Sequence, residues 1–325
     1  MKRILYAAAA IAQGTLWAWA SGAIAQGYPA KPVRLIVPLA PGGGNDLLSR
    51  AISKHLTETL GQSVIIDNRP GASGIIGTET AARAAPDGYT LLMAGSGQMS
   101  INPSLYRKLP YDPFRDFTAI TLVASFPSLL TVHPSLPVKN IKDLIALAKA
   151  RPGQINYASS GTGSGSHLGM ELFKSMAGVN LIHIPFKGAG PALTDLIAGQ
   201  VSVLFNNPMS SMPYAQAGRI RAIAVTGVKR LQAMPEIPTV GESGLPGFDA
   251  SVWLGLFAPA GTPADITTRI QSDVIKILRR NDVHDSFVRQ GIDPAGGTTE
   301  QFTARIRADA AKWGAIIKIS GARVD

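Results

Sequence analysis

Residues 33–46 read VRLIVPLAPGGGND, a short apolar run that leads directly into three consecutive glycines and an Asn-Asp pair. The apolar run is typical of a buried β-strand, and the polar pair is typical of a helix start. Glycine lets the backbone approach another group closely, and a helix start offers unpaired N–H groups with partial positive charge. The stretch therefore predicts a strand, a glycine-rich loop and a helix whose first turn faces a bound anion.

The same layout returns in the middle of the chain, where residues 155–167 read INYASSGTGSGSH. One such loop would be explained equally well by a tight strand-to-helix turn, but two of them favour a ligand held between two lobes. Their donors are backbone N–H groups and hydroxyls, which suit a carboxylate. We interpret Asp46 as a favourable charge at a helix N-terminus, because it would repel an anion. His167 either orients the second loop or contacts the solute.

The chain begins with Lys2 and Arg3, continues with an alanine-rich apolar stretch, and reaches Ala-Ile-Ala at residues 23–25. This is the pattern of a secretory signal peptide, so we predict that residues 1–25 are removed and that the mature chain starts at Gln26. The sequence contains no cysteine. Disulfides, thiolate metal sites and a lipid-modified cysteine are thereby excluded, and the combination predicts a soluble protein of the periplasm.

The charge and its distribution indicate which class of partner the protein binds. The formal net charge is +10, but the basic residues are scattered, with no Lys/Arg block and no interleaved aromatic residues. Nucleic acid is therefore not expected as a partner. A basic surface instead favours the diffusion of anionic solutes to a cleft. With 325 residues, of which 46% are hydrophobic, the chain is long enough for two domains.

Apolar strand-like runs alternate with helical patterns along the whole chain, which predicts an α/β protein with parallel sheets covered by helices. Two long extended segments, residues 117–132 and 253–259, interrupt the alternation, and each is interpreted as a strand that crosses between lobes. We therefore expect a discontinuous first domain, residues 26–124 and 253–325, and a second domain, residues 125–252.

Two helix starts carry capping signals. Asn140 precedes an apolar-periodic segment at residues 141–150, and Thr298 is followed three residues later by Gln301. Asn is a common N-cap residue, and the Thr/Gln spacing is that of a capping box. We expect a helix at each position, the second forming a C-terminal packing helix over residues 298–318.

The sequence does not match the catalytic motifs that it partly resembles. Residues 161–165 have no serine at the central position of a nucleophile elbow, and Ser166 stands where a dinucleotide fingerprint has its third glycine. The five histidines are dispersed without metal-ligand spacing, so we expect no enzyme, no metal and no cofactor. A hydrolase that uses Ser164 or Ser166 with His167 is the less supported alternative, because no acid is placed to orient the histidine.

Eight segments, in order along the mature chain, resemble the receptors of tripartite tricarboxylate transporters, the Bug-type extracytoplasmic solute-binding proteins: Pro38–Asp46, Asp67–Ala72, Ala85–Tyr89, Ala158–His167, Pro191–Leu196, Pro238–Glu242, Gly244–Gly247 and Pro259–Pro263. The resemblance implies a two-lobed periplasmic-binding-protein fold of type II, with mainly parallel sheets and two crossing hinge strands. It also implies a monomeric receptor that captures a small carboxylate and delivers it to a membrane permease. A sensor with the same fold, presenting its closed form to a signalling receptor, is the alternative.

The resemblance also implies how the solute is held: backbone groups and ordered waters of residues 39–44 and 160–166 grip its carboxylate. Lys187 follows a strand end, where doubly wound sheets face their crevice. Relatives commonly carry Asp-Asn where this chain has Asn206-Asn207, which favours plain acids or neutral distal groups over a solute amine. We expect the ligand-binding residues to be Leu39, Ala40, Gly42, Gly43, Gly44, Ser96, Ser160, Gly161, Thr162, Gly163, Ser164, Gly165, Ser166, His167, Lys187 and Asn206.

Donors on two lobes are satisfied together only when the lobes approach, so a ligand should favour a closed state. We expect an open form without ligand and a closed form with it, related by hinge rotation near Phe126 and Trp253.

Overall fold

The computed structural model describes residues 27–42, 44–186 and 188–322. The predicted signal peptide, residues 1–25, lies outside these residues, as do the predicted ligand contacts Gly43 and Lys187. Within the described part of the chain, no helix combines the length and the apolar character needed to cross a membrane.

The first of two sheets has six strands in the order β11-β4-β10-β3-β1-β2. β1 pairs in parallel with β2 and β3, whereas β10 pairs antiparallel with β3 and β4, and β11 pairs antiparallel with β4. The strands are β1 (Val33–Val37), β2 (Val64–Asn68), β3 (Thr90–Gly95), β4 (Phe117–Phe126), β10 (Val252–Pro259) and β11 (Asp293–Pro294).

The second sheet has five strands in the order β7-β6-β8-β5-β9. β6 is parallel to β7 and β8, and β5 is antiparallel to β8 and β9. The two-lobed α/β fold is confirmed, but the sheets are mixed rather than mainly parallel, because β4, β5 and β10 add antiparallel pairings. These strands are β5 (Leu129–Val132), β6 (Asn156–Ser159), β7 (Ile182–Pro185), β8 (Val203–Asn206) and β9 (Arg221–Val225).

Helices cover both sheets and follow the strands in the expected alternation. Those beside the first sheet are α1 (Gly44–Leu60), α2 (Ile75–Ala82), a π-helical turn (Gly97–Ile101) continued by α3 (Asn102–Leu105), α8 (Ala264–Leu278) and α9 (Asn281–Arg289). Those beside the second are α4 (Ile141–Ala150), α5 (Gly165–Ala177), α6 (Ala189–Ile197) and α7 (Pro208–Gln216), and α10 (Thr299–Ser320) closes the chain. The Asn140 cap is confirmed: its side chain accepts the N–H of Asp143 at 2.9 Å.

The chain changes sheets at a proline. The extended run predicted over residues 117–132 is broken at Pro127, so that β4 stays in the first sheet and β5 enters the second. Proline cannot donate to a strand ladder, which explains the break. The chain returns to the first sheet in β10, where Val252 pairs with Phe126. Two adjacent strands therefore carry the crossing; the domain boundaries at residues 124/125 and 252/253 stay predictions.

The C-terminal helix packs on both lobes. Its start has the predicted capping box, because Gln301 N–H donates to Thr298 Oγ1 and Thr298 N–H donates to Gln301 Oε1. Phe302 belongs to a core cluster with residues of the first sheet, whereas Trp313 belongs to the core of the second lobe. The helix thus spans the crossing region instead of packing on the first lobe alone.

Candidate ligand-binding cleft

A cleft of about 590 Å³ lies between the two sheets. Every described residue that lines it is electrically neutral, so its polar surface consists of amides, hydroxyls and backbone groups. Its apolar side chains come from the first lobe and from the crossing strands, whereas the second lobe contributes loop 160–165 and Asn207. The lining residues are Leu39, Asn45, Ser73, Gly95, Ser96, Gly97, Gln98, Ile101, Asn102, Leu105, Phe126, Ser160, Gly161, Thr162, Gly163, Ser164, Gly165, Asn207, Val252 and Trp253.

The first glycine-rich loop is held together by Asp46. Its carboxylate is almost fully buried and accepts hydrogen bonds from Gly42 N–H at 2.9 Å, Arg50 Nε at 2.9 Å and Asn68 Nδ2 at 3.0 Å. The hydrogen bond from Arg50 is the largest influence that lowers the pKa of Asp46. Asn68 also donates to Leu39 O at 3.1 Å. Asp46 therefore folds the loop from inside, in agreement with its interpretation as a structural charge.

Among the residues of this loop that the structure describes, only some reach the cleft. Leu39 lines it, and α1 begins at Gly44. Ala40 and Gly42 are exposed and lie outside the lining, contrary to expectation. The reason is the turn at Gly42, whose φ of 80° and bond to Asp46 direct these two residues toward solvent.

A second wall of the first lobe was not predicted from the sequence. Ala72 and Ser73 have φ values of 46° and 54°, a left-handed backbone that costs non-glycine residues roughly 1 kcal/mol each. The Ser73 carbonyl accepts Gln98 Nε2 at 2.9 Å and Asn102 Nδ2 at 3.4 Å. The predicted residue Ser96 lines the same wall. The available signal was the Gly-Ala-Ser-Gly run at 71–74, which marks a turn but says nothing of its partners.

The second glycine-rich loop contributes six consecutive residues to the cleft, Ser160 through Gly165. Ser164 is the N-cap of α5, because its Oγ accepts His167 N–H at 3.3 Å. Ser166 lies behind the loop, where its Oγ accepts Ser160 N–H at 3.0 Å. Ser166 and His167 therefore support the loop and are not among the residues that line the cleft, and their assignment as ligand contacts stays a prediction.

The glycines of this loop permit the two lobes to approach. Gly163 has φ of 76°, and a Cβ there would lie 2.3 Å from Leu105 Cδ2 on the first lobe. A Cβ at Gly165 would lie 2.8 Å from Val252 Cγ1 on a crossing strand. Both distances are far below ordinary carbon–carbon contact. Close approach between lobes is thus a reason for glycine here, separate from any contact with an anion.

His167 is buried beneath the loop and its ring does not serve a serine. Its Nδ1 accepts Gly163 N–H at 3.0 Å, whereas the Ser164 hydroxyl donates to Gly161 O at 2.6 Å. A serine nucleophile requires a hydrogen bond from its hydroxyl to the base. The geometry of these residues is therefore that of a loop support and not of a catalytic pair. The described residues also contain no cluster that could hold a metal ion.

Trp253 forms part of the cleft wall and is fixed from behind by charged groups. Its Nε1 donates to Asp309 Oδ2 at 2.6 Å. Asp309 is buried and also accepts Arg305 Nε and Lys312 Nζ, each at 2.9 Å. Arg305 reaches on to Asp249 at 3.1 Å, in the segment before β10. The indole is therefore held in one orientation by the C-terminal helix.

Asn206, predicted as a ligand contact, lies outside the cleft. Its side chain is buried and donates to Ser210 Oγ at 3.2 Å. Its neighbour Asn207 lines the cleft instead, while its side chain caps α7 by accepting Met209 N–H at 2.8 Å. Asn206 is the last residue of β8 and pairs with Leu129 of β5, whereas Asn207 begins the turn into α7, which places the second asparagine at the cleft.

Two α/β lobes joined by paired crossing strands, with a neutral, donor-rich cleft between them, define a bilobal solute-binding protein. The chain belongs to the receptor family of tripartite tricarboxylate transporters, whose family model matches residues 48–322. The resemblance read from the sequence is thereby confirmed.

Similar proteins agree over nearly the whole chain. Protein BugT of Bordetella pertussis is 35% identical over 298 residues, which is 91% of this chain and 91% of BugT. An R. palustris protein solved with adipate is 38% identical, with a TM-score of 0.80 over 91% of this chain and 100% of that one. MatC of Rhodopseudomonas palustris, solved with bound malate, is 31% identical, with a TM-score of 0.75 over 89% and 100%.

Proposed function

We propose that the protein is a periplasmic receptor that captures a small carboxylate between its two lobes and delivers it to the permease of a tripartite tricarboxylate-type transporter. The observation that carries the proposal is the cleft, which places the hydroxyl-rich loop 160–165 of one lobe opposite neutral amides and hydroxyls of the other. Such donors can satisfy carboxylate oxygens directly or through ordered water.

The lining of the cleft supports an acid whose remaining part is uncharged or weakly polar. Leu39, Ile101, Phe126, Val252 and Trp253 supply an apolar surface beside the donors. An apolar body of the ligand would be buried against these side chains, whereas a charged distal group would lose its hydration there without a charged partner among the described lining residues. Adipate, found with one relative, has an apolar body of this kind, but its second carboxylate is a charged distal group of the sort that this lining disfavours.

The other parts of the proposal follow from family membership and the sequence. The signal-peptide pattern supports export, and the receptor family supports a permease as the partner of a monomeric protein. The ligand is bound and released without chemical change, because Ser164 and His167 are engaged in holding the loop. No cofactor is required for this activity.

The test is a thermal-shift screen of mono-, di- and tricarboxylates, followed by calorimetric titration of those that stabilise the protein. A ligand at a hundredfold excess over its dissociation constant adds about 2.7 kcal/mol of stability. Thr162 is exposed and lines the cleft, so Thr162→Trp should fill the cleft without disturbing the core and abolish binding. Thr268→Trp, at an exposed position on α8, is the matched control and should bind normally. If no carboxylate stabilises the protein, or if both variants bind alike, the proposal fails.

A further inference from the structure

The second glycine-rich loop rests on a stack of three rings. His167, in the first turn of α5, stacks on His183 of β7 with ring centroids 4.0 Å apart and an interplanar angle of 14°. His183 stacks in turn on Tyr157 of β6, with centroids 4.9 Å apart and an angle of 18°. His167 is buried, with 6% of its surface exposed. Two imidazoles in face-to-face contact cannot both become positively charged imidazolium ions without strong repulsion.

Each imidazole is joined to the backbone of the loop. His167 Nδ1 accepts Gly163 N–H at 3.0 Å, and only the unprotonated nitrogen can do so. His183 Nε2 lies 2.6 Å from Ser159 Oγ, and that hydroxyl accepts Gly161 N–H at 3.1 Å. A proton on His167 Nδ1 would oppose one N–H to another at Gly163. The observed conformation of the loop therefore requires that His167 Nδ1 carries no proton.

The charged groups around the pair lie on α5. Glu171 accepts Tyr157 O–H at 2.6 Å and Lys174 Nζ at 2.7 Å, so its charge is largely engaged. Burial lowers the pKa of His167, with Glu171 opposing the effect and Lys174 adding to it. Burial and the neighbouring His167 together lower the pKa of His183 to about 4. The pair is therefore neutral at neutral pH and takes up protons only in acid.

We propose that His167 is a positioning residue for the ligand cleft: its neutral imidazole, stacked on His183, holds Gly163 in place, and proton uptake releases the loop and weakens ligand binding in acid. The part of this inference that concerns binding rests on the proposed function. The part that concerns the loop does not, and it can be measured without ligand.

The first experiment follows the Gly163 amide in the ligand-free protein by NMR between pH 7.5 and pH 5. The exchange protection factor of this amide should fall at least tenfold in the wild type. His167→Asn supplies an amide oxygen where Nδ1 lies and cannot be protonated, so its protection factor should change less than threefold. His284→Asn, on α9 and away from the loop, should behave as the wild type. The same pH profile in His167→Asn and wild type would overturn the proposal.

A second measurement needs no variant. The ring nitrogens of His167 and His183 are titrated by NMR in the wild type, and the loss of Gly163 protection should coincide with the protonation of His167. A loop that loosens while His167 stays neutral, or that stays protected after His167 is protonated, contradicts the mechanism.

Ligand binding is measured with adipate at pH 7.5 and pH 5.5. The dissociation constant should rise at least fivefold more on acidification in the wild type than in His167→Asn. Protonation of adipate itself affects both proteins equally and cancels in this comparison. Equal pH dependence would refute the link to binding. If adipate does not bind at either pH, the proposed function fails for this acid, and the amide measurement still decides the role of His167.

Discussion

Replacing Gly163 with alanine should disturb the contact between the lobes more than it disturbs either lobe. The added Cβ would lie 2.3 Å from Leu105 Cδ2 and 3.2 Å from Leu105 Cδ1. Carbon atoms normally approach to about 3.5–4.0 Å, so the leucine side chain or the loop must move by more than about 1 Å. The φ of 76° adds roughly 1–2 kcal/mol, because an L-residue disfavours this backbone.

The loss of unfolding free energy in Gly163→Ala has two parts, overpacking and backbone strain, which can be measured separately. Overpacking against Leu105, which is 4% exposed, should cost about 1–3 kcal/mol. Gly61 has a similar φ of 69° but open space around its Cβ position, so Gly61→Ala should show the backbone cost alone. Gly163→Ala should therefore be less stable than Gly61→Ala by about 1–3 kcal/mol in urea unfolding. The affinity for a carboxylate that stabilises the wild type should fall at least tenfold, because the displaced loop faces the cleft.

A double-mutant cycle identifies the partner. Leu105→Ala removes the atoms that the new Cβ would meet, so Gly163→Ala combined with Leu105→Ala should regain most of the overpacking cost. The expected coupling is favourable by about 1 kcal/mol or more, beyond the few tenths found for independent sites. Additive effects within about 0.5 kcal/mol would refute the argument that Gly163 is required by the approach of the opposite lobe.

Three further outcomes follow from the structure. Thr298→Ala removes the N-cap of α10 and should lower the free energy of unfolding by about 1 kcal/mol in urea, whereas Thr298→Ser should preserve it; equal losses would contradict the capping role. Asp309→Ala leaves Trp253 Nε1 and two cations without their buried acceptor, so it should cost about 3–5 kcal/mol and shift the tryptophan emission; an unchanged midpoint would count against the network. Burial and the neighbouring His167 lower the pKa of His183 in the folded protein from 6.5 to about 4. Between these two pH values the unfolded chain binds more protons than the folded protein, so the free energy of unfolding should fall as the pH falls from 6.5 to 4. The expected loss is about 1 kcal/mol after solvent screening. His183→Gln should flatten this part of the unfolding profile, and an identical profile would exclude the residue as the cause.

For the first glycine-rich loop, the sequence predicted the structural role of Asp46 but not which loop residues face the cleft. Asp46 follows three glycines at a helix start, so repulsion of an anion and attraction to the helix N-terminus were enough to assign it a structural role. The sequence did not predict the turn at Gly42, which directs Ala40 and Gly42 away from the cleft. The direction of a loop depends on its bonds to distant residues, here Asn68 on the neighbouring strand.

The position of Asn206 relative to the cleft also depends on distant residues. Asn206 and Asn207 are adjacent and chemically identical, but Asn206 ends β8 and is buried, whereas Asn207 caps α7 and lines the cleft. Where the strand ends depends on the pairing of β8 with β5, whose residues are distant in the sequence. The wall formed by Ser73, Gln98 and Asn102 was missed because its hydrogen bonds join residues that are 25 and 29 positions apart.

By itself the sequence determined the family, the alternation of strands and helices, and both glycine-rich loops, because each depends on residues that are close together along the chain. Periodicity, capping residues and glycine all act over a few positions. Tertiary structure alone decided the mixed strand pairing, the C-terminal helix that packs on both lobes, and the stacking of His167 on His183. These features join distant residues, and their free energy appears only when the sheets have formed and brought those residues together.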